Sequence, residues 1–291
     1  MLKDAVNRGL RRATGYELRR SGGPALQAPA ARRRYDPKAD RLLDRPAFIL
    51  SSVRSGSTLL RVLLNSHPEL HAPHETHLRD IDVELKASKY IDRALEQSRI
   101  DGREGLRFLL WDRYLQRELA TTGKPRLVNK TPNDVFIADD LKRCWPDAQF
   151  IFLLRHPGAI ARSRHETRPQ DSVERNATMV KRYGDALEEA RAKYEGLTVK
   201  YEDIASDPAA ETRRICEFLG VRWVPEMVNY GDYDHGRFKA GLGDWKDKIK
   251  SGKVQPPEPP PADLPEQLHA LTRTWGYEIP AGAPAAPAPP A

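Results

Sequence analysis

The sequence predicts an α/β fold, an open parallel sheet flanked by helices. Three observations carry this expectation. Phe48-Ile49-Leu50 is a short apolar run that ends in a cluster of Ser, Arg, Gly and Thr, and a helical pattern (Leu59, Leu60, Val62, Leu63, Leu64) follows at once. Ala148 to Leu154 is apolar almost throughout, as expected of a strand covered on both faces. Strand-like and helix-like segments alternate along most of the chain, the pattern of a parallel sheet with crossover helices.

A chain of 291 residues suffices for one large domain with a substantial core. No run approaches the length needed to cross a bilayer, and the basic N-terminus has no apolar stretch of the secretory kind. Cys144 and Cys216 lie far apart in apolar, helix-like contexts, which reads as core residues of a reducing compartment. A cytoplasmic location is therefore expected. The net charge is +7, and residues 1–45 hold 12 Lys/Arg against 5 Asp/Glu, which accounts for all of it. The remaining chain is neutral, which argues against a nucleic-acid partner.

Taken in order, residues 1–44 read as a basic N-terminal arm and linker. Leu2, Val6, Leu10 and Ala13 set a short amphipathic helix with a basic face. It suits peripheral contact with an anionic membrane, contact with a partner, or packing on the body. Residues 45–279 read as the folded domain. His67 to Pro73 is extended or turn-like, and a helical region is expected from about Leu78 to Gln97, with another from Arg103 to Ala120. Arg126–Lys130 reads as a strand, after which Thr131-Pro132-Asn133 starts a helix by cap-and-proline chemistry. The Ala148–Leu154 strand passes through Arg155-His156-Pro157-Gly158 into a helix. A long helix over Val173–Tyr194, a strand at Leu197–Tyr201 and a helix from Asp207-Pro208 to Leu219 complete the alternation, with Gly220 as the stop. Leu264–Tyr277 looks like a docked final helix, and the Pro/Ala-rich residues 280–291 read as a disordered tail.

The turn Arg54-Ser55-Gly56-Ser57-Thr58 has the makings of an anion cradle. Main-chain N–H groups and the positive end of a helix converge there, Gly56 permits close approach, and Arg54 adds a fixed cationic fork. Arg155 ends the second strand, and Ser163 lies about two helical turns on, so the pair is suited to a second phosphate. A P-loop kinase or NTPase is the competing reading. It needs a Lys before Thr58, where Ser57 stands, and a magnesium-binding Asp at a strand end, where Arg155 stands.

Together these segments resemble the sulfotransferases that use 3′-phosphoadenosine 5′-phosphosulfate (PAPS), over roughly residues 45–245. Arg54 to Thr58 resembles their 5′-phosphosulfate loop, and Phe150 to Ser163 their 3′-phosphate strand and helix, with R-H-P for the usual R-D-P. Lys200-Tyr201-Glu202-Asp203 is similar to their segment near the adenine, and Arg237 to Lys246, with Lys239, to the late loop over the nucleotide. The resemblance implies the P-loop-like sulfotransferase fold, PAPS as co-substrate and a small-molecule, glycan or lipid acceptor. It also implies catalytic roles. His74-Glu75-Thr76-His77-Leu78 is similar to a segment of the heparan-sulfate sulfotransferases whose Glu is the base, and Asn129-Lys130-Thr131-Pro132 to one whose Lys acts at the reacting sulfate. By that likeness Glu75 deprotonates the acceptor, Lys130 supports the leaving oxygen, and His77 orients Glu75 or shares the proton work. The cluster His71, His74 and His77 is interrupted by Pro73 and lacks thiols, so no metal site is expected.

Overall fold

The computed structural model describes residues 40–236 and 249–279. The arm up to residue 39, the late loop with Lys239, and the tail from residue 280 lie outside them.

The centre of the molecule is a five-stranded parallel sheet in the order β2-β3-β1-β4-β5. Its strands are β1 (Ala47–Ser51), β2 (Leu70–His71), β3 (Arg126–Lys130), β4 (Gln149–Leu154) and β5 (Gly196–Lys200). The helices are α1 (Ser57–Asn65), α2 (Lys89–Ser98), α3 (Gly102–Ala120), α4 (Ala138–Cys144), α5 (Pro157–Thr167), α6 (Val173–Lys193), α7 (Tyr201–Ser206), α8 (Pro208–Leu219) and α9 (His269–Thr274).

Strand alternation divides the core into two layers. Phe48, Leu50, Phe150 and Phe152 face a cluster with Trp111 of α3 and Val180 of α6. Ala47, Ile49, Ile151 and Leu153 face the other, with Leu60 of α1 and Ile215 of α8. A strand with both faces covered has no room for a polar alternation, which is why β1 and β4 read as continuous apolar runs. Asp112 of α3 fixes the entry to β1, accepting from the Leu42 and Leu43 amides at 2.7 and 3.3 Å and from the Trp145 indole at 2.8 Å.

The expected helix from Leu78 is a correction. Only Leu78–Asp80 forms a single 3₁₀ turn, and α2 begins at Lys89. Asp82 turns its carboxylate onto the next amide, Val83, at 2.8 Å, and Ser88 caps α2 by accepting from the Tyr90 amide at 3.2 Å. Such side-chain bonds to the main chain compete with helix propagation. A smaller difference lies at β5, where the strand stops at Lys200 and Tyr201 opens α7. Among the described residues no helix is long and apolar enough to cross a membrane.

Candidate active site

Each strand delivers a candidate residue at its carboxyl end. β1 leads to Arg54, β2 to Glu75, β3 ends on Lys130, β4 leads to Arg155 and β5 to Tyr201. In open parallel sheets this edge is where ligands collect. The β1 position is central, because the chain crosses from β3 on one side of it to β4 on the other.

The turn after β1 is shaped by two residues in the left-handed region, Arg54 (φ 66°) and Gly56 (φ 84°). A Cβ added to Gly56 would lie 2.2 Å from Cδ2 of Tyr201, so a side chain here would displace the ring. Gly56 provides no side-chain cap for α1, whose first turn holds no acidic residue. Its leading N–H groups therefore have no side-chain cap in the turn, an arrangement that suits an anion. Arg155 Nη1 donates to the Arg54 carbonyl at 2.8 Å, while Arg54 Nε donates to Ser163 Oγ at 3.2 Å. The Arg155 guanidinium also lies over the Tyr201 ring, 4.4 Å from its centroid. The two cradles expected from the sequence are thus one continuous structure.

Within this cradle the Ser55 hydroxyl and Arg155 Nε are buried with no hydrogen-bond partner. Burying such groups unpaired costs about 1–3 kcal/mol each. Both belong to the predicted anion-binding residues, and with the open end of α1 they fit a ligand carrying two phosphate groups. The adjoining cleft reaches from Gly56 and Thr58 past Arg155 and Ser163 to Tyr230 and Lys253.

His156, where the resemblance has Asp, keeps the capping role. Its Nδ1 accepts from the Gly158 amide at 3.1 Å, and burial holds its pKa below the ordinary histidine value. Glu202 accepts from the His156 amide at 3.0 Å and from the Tyr277 hydroxyl at 2.6 Å, which ties the end of β4 to α7 and the C-terminal segment.

The catalytic candidates meet on the other side of the anion loop. Lys130 Nζ is 2.5 Å from Glu75 Oε1, and the lysine side chain is only 2% exposed. Burial lowers the Lys130 pKa against the opposing pull of Glu75. His77 Nε2 lies 3.6 Å from Glu75 Oε2, and its Nδ1 lies 3.6 Å from Asp80 Oδ2. His77 is itself left-handed (φ 50°), a strained conformation that the surroundings must hold.

Thr131 supplies part of that hold. Its Oγ1 accepts from the Thr76 and His77 amides at 3.0 and 3.3 Å. The expected cap on the following helix is absent, and Pro132–Ile137 forms a 3₁₀ segment before α4. Thr76 Oγ1 donates to Asn129 Oδ1 at 2.9 Å, and Asn129 Nδ2 donates to Asp134 Oδ2 at 2.7 Å. Burial, reinforced by the charge of Glu75, pushes the Asp134 pKa well above the usual carboxylate range.

A second cleft opens over Glu75 and Thr131 and shares Arg54, Ser57 and Thr58 with the first. The anion loop is therefore the wall common to both. Sequence reasoning missed Asp134, Tyr230, Lys253 and Tyr183 of the second cleft, whereas Arg164, Thr167, Arg168 and Met179 fall in the segment 164–180 that it expects to line the acceptor pocket. Asp134 stands three residues beyond Thr131 in a segment already singled out. Tyr230, whose hydroxyl donates to the Lys253 carbonyl at 2.9 Å, had no local motif to mark it.

Comparison with known proteins bears on the family and the fold. A model described as the sulfotransferase family matches residues 46–225. Protein-tyrosine sulfotransferase A of Caenorhabditis elegans is 26% identical over 198 residues, covering 63% of this chain and 52% of that protein. The nodulation protein NoeE of Sinorhizobium fredii is 36% identical over 133 residues, covering 41% of this chain and 31% of that protein. The chain thus spans about half or less of the length of these curated relatives. Among solved structures, the sulfotransferase domain of the Synechococcus PCC 7002 olefin synthase aligns with a TM-score of 0.62 at 27% identity, over 85% of this chain and 100% of that one. Matched by the family model over more than half its length and sharing the fold of a sulfotransferase domain, the chain belongs to the sulfotransferase family.

Proposed function

We propose that the protein transfers a sulfuryl group from PAPS to a hydroxyl or amine of a small-molecule, glycan or lipid acceptor. The observation that carries this reading is the bonding of Arg54 to both Arg155 and Ser163, which makes one site for two phosphates. The names of the relatives support the reaction class and leave the acceptor open.

PAPS supplies a sulfuryl group already activated on its 5′-phosphate, so one S–O bond breaks as an S–O or S–N bond to the acceptor forms. Catalysis of this kind is mostly positioning and charge stabilisation. Ser55, Gly56, Ser57 and Thr58 present N–H and hydroxyl donors to the 5′ end, with Arg54 beside them. Arg155 and Ser163 hold the 3′-phosphate, and Tyr201 backs the nucleotide side of the cleft. Oε2 of Glu75 takes the acceptor proton while Oε1 stays with Lys130. The buried Lys130 ammonium supports the oxygen that leaves sulfur. His77, between Glu75 and Asp80 and 40% exposed, holds the carboxylate in place and passes the proton to solvent.

Residues 45–279 form the catalytic domain in this proposal, with 1–44 as a basic arm suited to membranes or partners and 280–291 as a tail. Burial raises the Cys144 thiol to about 12 and the Cys216 thiol to about 11, so both stay protonated and suit a cytoplasmic, reducing setting. The competing kinase reading meets Ser57 where its lysine should be. A direct test offers radiolabelled PAPS and γ-labelled ATP in parallel to an acceptor panel. Label transfer from PAPS alone supports the proposal, and transfer from ATP alone overturns it.

A further inference from the structure

The second cleft has more positive charge than sulfuryl transfer requires. Its lining includes one carboxylate, Glu75, against the guanidinium groups of Arg54, Arg164 and Arg168. Arg54 is engaged in the donor cradle, which leaves the two arginines at the end of α5. Arg168 is exposed. Arg164 is not: its side chain is 12% exposed, its contact with Asp171 is long at 3.5 Å, and Asp171 is shared with Arg175 at 3.5 Å.

Arg164 Nε is buried with no hydrogen-bond partner. A helix C-terminus favours cations, and that accounts for the exposed Arg168. It does not account for a largely buried guanidinium with an unpaired N–H, which is destabilising unless something else accepts from it. Further cations lie near Tyr183, beyond the cleft lining. Arg79 and Arg182 lie over the Phe136 ring at 4.9 and 5.0 Å, and that ring is 4.7 Å from the Tyr183 ring. Met179 and Tyr183 of α6 and Val53 give the cleft an apolar wall.

We propose that the acceptor is anionic: a carboxylate or phosphate group on an apolar or aromatic body, held by Arg164 and Arg168 while its hydroxyl faces Glu75. The two arginines are specificity-determining residues. This inference rests on the sulfotransferase reading above and narrows its acceptor class.

The test uses full-length protein, PAPS and two matched pairs of phenolic probes. These are 4-hydroxyphenylacetate with its methyl ester, and 4-hydroxybenzylphosphonate with its diethyl ester. Turnover is measured at low salt, and probe binding is measured on protein loaded with the product nucleotide, 3′-phosphoadenosine 5′-phosphate (PAP). The anionic member of at least one pair is expected to be favoured by about tenfold or more in kcat/KM or in affinity. The pair that responds distinguishes a carboxylate acceptor from a phosphate one. Arg164→Gln and Arg168→Gln are each expected to erode the preference, chiefly through KM, and PAP affinity reports whether each variant has folded. The exposed Arg168 keeps the test informative if Arg164→Gln misfolds. Equal handling of charged and neutral probes, no binding of either anionic probe, or a preference untouched by Arg168→Gln overturns the inference. Failure of the wild-type protein to bind PAP is a different result and counts against the sulfotransferase reading itself.

Discussion

The Arg155 guanidinium donates to the Arg54 carbonyl at 2.8 Å, joining two loops 101 residues apart in sequence. The return contact, Arg54 Nε to Ser163 Oγ, closes the link from the other side. An arginine that follows the apolar strand β4 thereby also buttresses the turn that leads into α1. Loss of either arginine should disturb both halves of the nucleotide site.

Glu75→Gln removes the proposed base and keeps the side chain's shape. Turnover is expected to fall by about 10²- to 10⁴-fold. PAP affinity, measured by calorimetry, should change little, because Glu75 lines the acceptor cleft and not the nucleotide cleft. Undiminished turnover would remove Glu75 from the mechanism.

Gly56→Ala meets two obstacles, a left-handed backbone and the Tyr201 ring. The backbone term alone is about 1–2 kcal/mol. The ring must also move, and with it the contact to Arg155. PAP binding should weaken in Gly56→Ala, and adding Tyr201→Ala should weaken it less than the two single losses combined. Simple additivity, read from the four-way binding cycle, would mean that ring and loop are not coupled.

Asp134 should oppose stability at neutral pH. Its pKa is raised in the folded state, so its contribution is fully present below the unfolded value and is lost as pH rises through the folded one. Asp134→Asn keeps an oxygen for Asn129 and carries no charge to bury. Thermal melts should show the variant gaining on the wild type as pH rises above about 4, by up to roughly 1.4 kcal/mol per unit while the folded carboxyl stays protonated and the unfolded one is ionised. A difference that does not change with pH would contradict the buried-acid assignment.

Acid sensitivity follows from the histidines. Burial lowers the pKa of His71, His74, His156 and His235, in the case of His71 to about 4. Depressed folded values mean that the stabilisation is present above the unfolded value of 6.5 and is lost as pH falls through the folded ones. The histidine contribution to Tm is therefore expected to hold above pH 7 and to decline from about 6.5 downward, each histidine contributing up to roughly 1.4 kcal/mol per pH unit. His71→Gln should flatten that decline, and an unchanged slope in the variant would count against the assignment.

Sequence legibility followed the range of the forces involved. β1 and β4 were readable because full burial leaves an unbroken apolar signature in each strand. The turn at Gly56 and the helix stop at Gly220 were readable because they are settled within a few residues. Residues 81–88 were misread because Ile81 and Leu85 imitate helical spacing, while Asp82 and Ser88 bond the main chain in a way that interrupts it. Thr131 has the identity and position of a helix cap, yet its hydroxyl serves the amide of Thr76, 55 residues away. The pairing of Arg54 with Arg155 and of Tyr230 with Lys253 likewise depends on tertiary packing, for which no local pattern exists.

The central claim is that one joined cradle holds both phosphates of a 3′,5′-bisphosphorylated adenosine. The most direct measurement is calorimetric titration of PAP and of 5′-AMP, which lacks only the 3′-phosphate, into the wild type and Arg155→Ala. The account predicts that the wild type binds PAP at least about tenfold more tightly than 5′-AMP, and that Arg155→Ala abolishes most of that difference. Equal affinity for the two nucleotides in the wild type, or a difference that survives the loss of Arg155, would contradict it.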